Sequence, residues 1–402
     1  DFRNETNYGD LPTKIDLEKF KNTLSRISNN LVFRGNFGAY NDKLEKEMSL
    51  TKKSVLLNKS NCKDLYLCLN DFIKYNSIRP ELLEKIKYAD VFIKHKKGDN
   101  KDPKNFRFLS NHSKIYKILD KFVTNNLIST MERNNCLPDI SIVKNNFNRE
   151  FTLAIRDLAL EKLSKYHSGK KIVLLDIKKA FDSVSWKVLY EKVKMNLTRK
   201  VSADYATKIM NQYMFLNCNR VIKYKDNIID FGRSIATGLP SSTLMFSLLI
   251  EQLVFEWKQK EDTNHIIINT FVDDIYLEFS NTIDSFKYID SLVKFLKENG
   301  LIINEDKTKT NIDSLPYIQI NKSDCYLGLP FARNIKDYIN ECIKMFNEKY
   351  YNITKPQIIE ILKEEKFPNI KKEIYGFFNY KFYGLKNFNI NDIDVLVILE
   401  KD

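Results

Sequence analysis

Two places in the chain put aspartates where they could hold divalent cations. The apolar run IVLL (172–175) ends in Asp176, and FVDD (271–274) ends in the adjacent Asp273 and Asp274. A short continuous apolar run suits a strand buried on both faces, which delivers a carboxylate at its exposed end. The pair is flanked by the β-rich arms of NTFVDDIYLEF (269–279), the pattern of a hairpin whose tight turn exposes two carboxylates. Such oxygens suit Mg²⁺, which takes only one or two carboxylates and leaves its other positions to water and substrate phosphates. Two ions roughly 3.5–4 Å apart can activate a hydroxyl and stabilise charge on a transferring phosphorus. An Asp pair alone is more often just a solvated turn, so the surrounding elements have to decide.

Ahead of Asp176, residues 153–163 carry apolar side chains at helical spacing, with Gly169 as the stop. After it, Ser185 is placed to cap a helix beginning WKVLYEKV. GLPSSTLMFSLLIEQLVFEW (238–257) reads as a glycine turn followed by a mostly apolar helix. Beyond the Asp pair, Phe286, Ile289, Val293 and Leu296 recur at helical spacing, Gly300 closes that helix, and strands are expected at LIIN (301–304) and CYLGL (325–329). A strand at DVFI (90–93) runs into the basic loop KHKKGDNKDPK (94–104). Residues 1–85 read as polar, mainly helical segments, such as 17–27 and 64–75, and 333–402 are again helical in texture. The central order of strand, helix, helix, hairpin, helix and strands predicts an α+β sheet with helices on one face, not a doubly wound parallel sheet.

The 402 residues suffice for two or three compact subdomains, and the 43% hydrophobic content is that of a folded protein. A formal charge of +13 favours polyanionic partners and equally fits a Lys-rich proteome. The six cysteines never form CxxC, and the four histidines lie apart from them, which leaves no zinc-finger spacing and suggests reduced thiols in an intracellular, cytoplasmic or nuclear protein. No apolar run approaches the roughly 20 residues that span a bilayer. The opening DFRNETNYGD has neither a signal-peptide core nor an initiator Met, as expected of a processed product or part of a longer chain.

Residues 91–335 resemble reverse transcriptases, most closely those of non-LTR retrotransposons and group II introns. The resemblance is carried, in the family's order, by KKGDNKDPKNFR (96–107), LLDIKKAFDSVSW (174–186), FVDDIYL (271–277), GLIINEDKTKT (300–310) and YLGL (326–329). It implies a right-hand polymerase fold: a mainly helical extension over 1–85, fingers and palm over 86–330, and a helical thumb-like region over 331–402. It implies an RNA-directed DNA polymerase that binds an RNA template, a DNA or RNA primer and dNTPs, with two Mg²⁺ (or Mn²⁺) ions on Asp176, Asp273 and Asp274. Phe181, five residues after Asp176, falls where the family places an aromatic gate against the ribose 2′-hydroxyl; a core Phe is the other reading. Arg107 and Lys97 (or Lys96) match fingers residues that hold the incoming triphosphate, and Lys307 matches a lysine near the leaving pyrophosphate. Asp182 reads as a local capping or turn residue.

The family's Gly-x-Pro-Gln-Gly, which supports template and nucleotide, is here Gly238-Leu239-Pro240-Ser241-Ser242. Serine is shorter than glutamine, and losing the second glycine limits close backbone approach, so Gly238, Pro240, Ser241 and Ser242 are positioning candidates of altered reach. NFRFL also lacks the proline that often follows the fingers arginine. The 366–388 segment interleaves bases and aromatics, but Ile374, Phe377, Phe378, Phe382 and Leu385 share one helical face and favour a packed core. A viral RNA-dependent RNA polymerase and a palm-like domain kept only for nucleic-acid binding are the alternatives; FVDD and Phe181 oppose the first, and the three aspartates oppose the second.

Overall fold

The computed structural model describes residues 67–69, 71–72, 74–95, 99, 101–102, 105–136, 149–224, 227–229, 234–261, 263–280, 285–350, 353–364, 368–390 and 394–401. The helix expected over 17–27 lies outside the described residues, as do Lys96 and Lys97. In chain order, β1 (Tyr88–His95) and β2 (Phe106–His112) lead into α1 (Lys114–Arg133). Then come α2 (Arg149–His167), β3 (Lys171–Asp176), α3 (Trp186–Thr198), α4 (Ala203–Asn219), β4 (Val221–Tyr224), β5 (Asn227–Ile229) and α5 (Ser242–Lys260). The hairpin β6 (Ile266–Phe271) and β7 (Asp274–Phe279) precedes α6 (Ser285–Glu298) and the short β8 (Lys309–Thr310), β9 (Ile318–Gln319), β10 (Cys325–Tyr326) and β11 (Leu329–Pro330). The helices α7 (Ile335–Lys349), α8 (Lys355–Lys363), α9 (Pro368–Phe382) and α10 (Val395–Lys401) follow. This is the expected mixed α+β architecture, and no described helix is long and apolar enough to cross a membrane.

The chain forms two compact units and passes repeatedly from one to the other. The first draws on Asp1–Pro138, Lys178–Trp257 and Glu298–Leu301. Its sheet has the order β2-β1-β4-β5, with β1 antiparallel to β2 and parallel to β4. The helical part is held by apolar burial along α1, where Tyr116, Leu119, Val123 and Leu127 are completely enclosed, and along α5, where Met245, Phe246 and Leu248 are. Ion pairs Lys192–Glu256 (2.6 Å) and Lys200–Glu251 (2.6 Å) join α3 and the residues after it to α5.

Among the buried polar contacts of this unit, one joins α1 to the residue ahead of α5. The Asp120 carboxylate on α1 accepts the Ser241 amide N–H (2.8 Å) at Oδ2 and the Ser241 hydroxyl (2.6 Å) at Oδ1, and both residues are 0% exposed. Burial pushes Asp120 up to about 6, while the two Ser241 hydrogen bonds, Arg220 and Lys121 act in the opposite direction. Tyr116 and Tyr213 are the other titratable groups that feel its charge.

The second unit draws on Asp139–Ile177, Lys258–Lys297 and Ile302–Asp402. Its sheet has the order β6-β7-β3-β8-β9, with β3 antiparallel to both neighbours. Ile172, Val173 and Leu175 are buried, so the IVLL run is enclosed on both faces as its composition requires. One face packs into a core with Ala159 and Leu163 of α2, Tyr276 of β7, Tyr326 of β10 and the C-terminal helices. Ile374, Phe378, Phe382 and Leu385 are completely buried there, which accounts for the aromatic stripe as packing.

Two strand expectations change. LIIN makes no ladder: Ile303 forms only an isolated antiparallel bridge with Ile177, in which the Asn304 amide donates to the Asp176 carbonyl (2.7 Å). CYLGL is a hairpin rather than one strand, since Leu327 (φ 45°) and Gly328 (φ 86°) turn the chain between β10 and β11. Phe286, counted on the core face of α6, is exposed.

Two tests follow from this packing. A Cβ on Gly384 would lie 1.9 Å from the Tyr338 hydroxyl, which is buried and donates to the Lys381 carbonyl (2.6 Å). Gly384→Ala should therefore cost about 1–3 kcal/mol, seen as a lower denaturant midpoint at unchanged slope. Asp120 has a folded-state value above its unfolded one, so its contribution is full below the unfolded value and is lost as pH rises through about 6. Between pH 4 and 7, wild-type stability should fall relative to Asp120→Asn by roughly 2 kcal/mol in denaturant titrations. Parallel curves for the two proteins would refute the assignment.

Candidate active site

Antiparallel pairing of β3 with β7 sets Asp176 directly opposite Asp274, the last residue of one strand against the first of the other. β6 and β7 are joined by two residues, Val272 and Asp273, with Phe271 paired to Asp274 across the turn. Asp273 thus occupies the hairpin tip and Asp274 the first ladder position, so the backbone register alone gathers the three expected carboxylates at one end of the sheet. Val272 has φ 58°, an unusual conformation for a β-branched residue that strains this turn.

The segment 303–308 wraps the end of β3. Asn304 donates its side-chain amide to Asp176 Oδ2 (3.0 Å), and the Asp176 backbone N–H donates to the Thr308 hydroxyl (3.3 Å). Asn304 was not singled out by the sequence reading although it begins the quoted NEDKT; an amide that donates to one carboxylate oxygen and leaves the other available is its signal. Lys307 lies exposed in the same turn.

Burial of the Asp274 carboxyl, with repulsion from Asp273 and then Asp176, pushes it up to about 6. The residue still presents open surface to solvent, so the like-charge repulsion is the part of that shift with functional meaning. The Asp176, Asp273 and Asp274 carboxylates thus collect negative charge at one end of the sheet, which calls for a cation. Among the described residues no group of three or more His, Cys, Asp or Glu side chains converges closely enough to hold a metal ion by itself. The donor set nonetheless fits Mg²⁺, which needs only one or two carboxylates and completes its shell with water and substrate phosphate.

The remaining candidates belong to the first unit. Arg107 lies in β2 opposite Lys94 of β1. The Phe181 ring is half-buried and stacks on Phe246 of α5 (centroids 5.0 Å apart, planes at 29°), while its carbonyl accepts the Ile235 amide (2.9 Å). Gly238 has φ 98°, and a Cβ there would meet the Ser110 carbonyl of β2 at 2.9 Å, so glycine is required at this position. Pro240 follows in the same turn. Ser241 is directed into the interior toward Asp120, a residue the sequence reading passed over, and the Ser242 hydroxyl donates to the Ala236 carbonyl. Asp182 starts its amide hydrogen bonding at the Lys179 carbonyl (2.9 Å), as a local turn residue does.

Comparison with known proteins adds the family. Some solved structures are similar at low identity. Apo telomerase from Candida Tropicalis, truncated from its C-terminal domain, is 14% identical over 56% of this chain and 50% of that one, with a TM-score of 0.39. The RNA-dependent RNA polymerase of a human picorbirnavirus is 15% identical over 78% of this chain and 65% of that one, with a TM-score of 0.42. Its insertion loop deletion mutant gives 15%, 78%, 64% and 0.43. The matched part of the chain therefore spans half to just under two thirds of these structures. The family model described as reverse transcriptase (RNA-dependent DNA polymerase) matches residues 94–331, which include the aspartates at 176, 273 and 274, the β6–β7 hairpin and the 238–242 turn. The chain belongs to the reverse transcriptase family.

Proposed function

We propose that this protein is an RNA-directed DNA polymerase that extends a primer 3′ end with dNTPs and releases pyrophosphate. The observation that carries the reading is the register of β3 and β7, which sets Asp176 against Asp274 with Asp273 at the adjoining tip. In this reading residues 86–330 make up fingers and palm, with β1 and β2 in the fingers and the second unit's five-stranded sheet as the palm, and 331–402 form the thumb, after a helical extension over 1–85.

Asp176, Asp273 and Asp274 would hold two divalent cations, Mg²⁺ or Mn²⁺. When bound, such ions supply Lewis acidity that activates the primer hydroxyl and offsets charge on the transferring phosphoryl group. Asn304 fixes the rotation of the Asp176 carboxylate, so one oxygen keeps a set direction before substrate arrives. Arg107, with Lys97, contributes charge-assisted contacts to the triphosphate. Lys307, exposed in the turn that contains Asn304, would give a proton to the leaving pyrophosphate. Phe181 excludes a ribose 2′-hydroxyl and so favours dNTPs over NTPs.

Primer extension on an RNA template tests this directly. Asp273→Asn, checked for native circular dichroism, should lower incorporation by roughly two orders of magnitude or more; undiminished activity would sink the metal assignment. Phe181→Val should raise the use of NTPs relative to dNTPs several-fold. A wild-type enzyme that already prefers NTPs would favour an RNA polymerase instead.

A further inference from the structure

The 238–242 turn is held from two sides within the first unit. On one side, Thr237 donates its hydroxyl to the Phe108 carbonyl of β2 (2.8 Å), and Ser110 of β2 donates its hydroxyl back to the Thr237 carbonyl (2.7 Å). Gly238 lies tightly against the Ser110 carbonyl. Phe108 directly follows Arg107 in that strand, so the turn and the arginine share one backbone support. On the other side stands the Asp120–Ser241 contact to α1.

The orientation of Ser241 is unusual for its position. Its carbonyl accepts the Met245 amide (2.9 Å), which marks it as the residue ahead of α5. A serine there ordinarily caps its own helix through the side chain. Here the hydroxyl crosses to α1, and with the amide it satisfies both oxygens of a carboxylate with no access to water. A shared carboxylate of this kind is costly to leave without its donors. The turn is consequently fixed to α1 by a charge-assisted pair and to β2 by a reciprocal pair of hydroxyl bonds.

We propose that Asp120 is a positioning residue for nucleotide binding: it locks Ser241 inward, and through the 238–242 turn it sets the place of the β2 segment that carries Arg107. Ser241 then serves as an internal anchor and not as a direct substrate contact. The inference rests on the polymerase reading and on Arg107 as a triphosphate contact.

The test is dNTP titration in primer extension by the full chain carrying Asp120→Ala, Ser241→Ala or both. Each single variant should raise the dNTP KM about tenfold while kcat falls less than about twofold. The double variant should be no worse than either single one, because the two groups act as a pair. Asp120→Asn, which still accepts one hydrogen bond and can donate the other, should keep KM within about threefold of wild type. Asn196→Ala removes a different buried hydrogen bond to the Leu248 carbonyl (3.1 Å) and serves as the structural control, with KM unchanged. Should Asp120→Ala fail to fold, Ser241→Ala and Asp120→Asn carry the test. An active wild type with unchanged KM in Ser241→Ala overturns this inference and leaves the polymerase reading standing, and so does an additive double variant or an equal rise in Asn196→Ala. A wild type that incorporates nothing on any template overturns both.

Discussion

Mutual repulsion among three carboxylates is the constraint around which the second unit is organised. Left to electrostatics, the three carboxylates would move apart, and the upward shift of Asp274, set first by burial and then by Asp273 and Asp176, expresses part of that pressure. The backbone ladder opposes it. β3 and β7 pair over six positions from Lys171↔Phe279 to Asp176↔Asp274, and the charged end lies at the last rung. A ladder can end on like charges because the rungs next to that end are apolar and largely enclosed, with Val173, Leu175, Ile275, Tyr276 and Leu277 all buried. Packing of the sheet interior thus holds a charge arrangement that the site itself disfavours.

The strained Val272 belongs to the same balance. A hairpin with two turn residues ordinarily places glycine, asparagine or aspartate where φ is positive. Here the only unusual torsion of the tip falls on a valine, next to the aspartate whose placement matters. Local strain of about 1–3 kcal/mol persists only where surrounding structure over-determines it, and the β6–β7 register on one side and β3–β7 on the other supply that determination.

The sequence was most readable where periodicity and chemistry coincide. IVLL-Asp and the arms around FVDD announced a buried strand and a hairpin because the continuous apolar run, the β-rich arms and the position of the acids agree. Ser185 before Trp186 marked the start of α3, although its side chain makes no cap hydrogen bond. LIIN misled because three apolar letters carry no information about partners; Leu301 and Ile303 are buried without a ladder. Ser241 was opaque for a different reason. Its role depends on Asp120, 121 residues away, and nothing in a local window links a carboxylate in one helix to a serine ahead of another. Asn304 was half-visible, present in a recognisable stretch but silent about the carboxylate oxygen it holds.

The interleaving of the two units has a consequence for synthesis. β3 is central to its sheet, yet both neighbours, β7 and β8, come later in the chain, after the whole Lys178–Trp257 segment of the other unit. At a translation rate of about 5–20 residues per second, the IVLL run emerges roughly 5–20 seconds before its first partner strand exists. During that interval an uncapped apolar strand is available to the wrong neighbour, and closing the long loop that finally pairs it is an entropically slow step. Nascent chains of this protein are therefore expected to depend on holding by chaperones through the middle of translation, a dependence set by strand order alone.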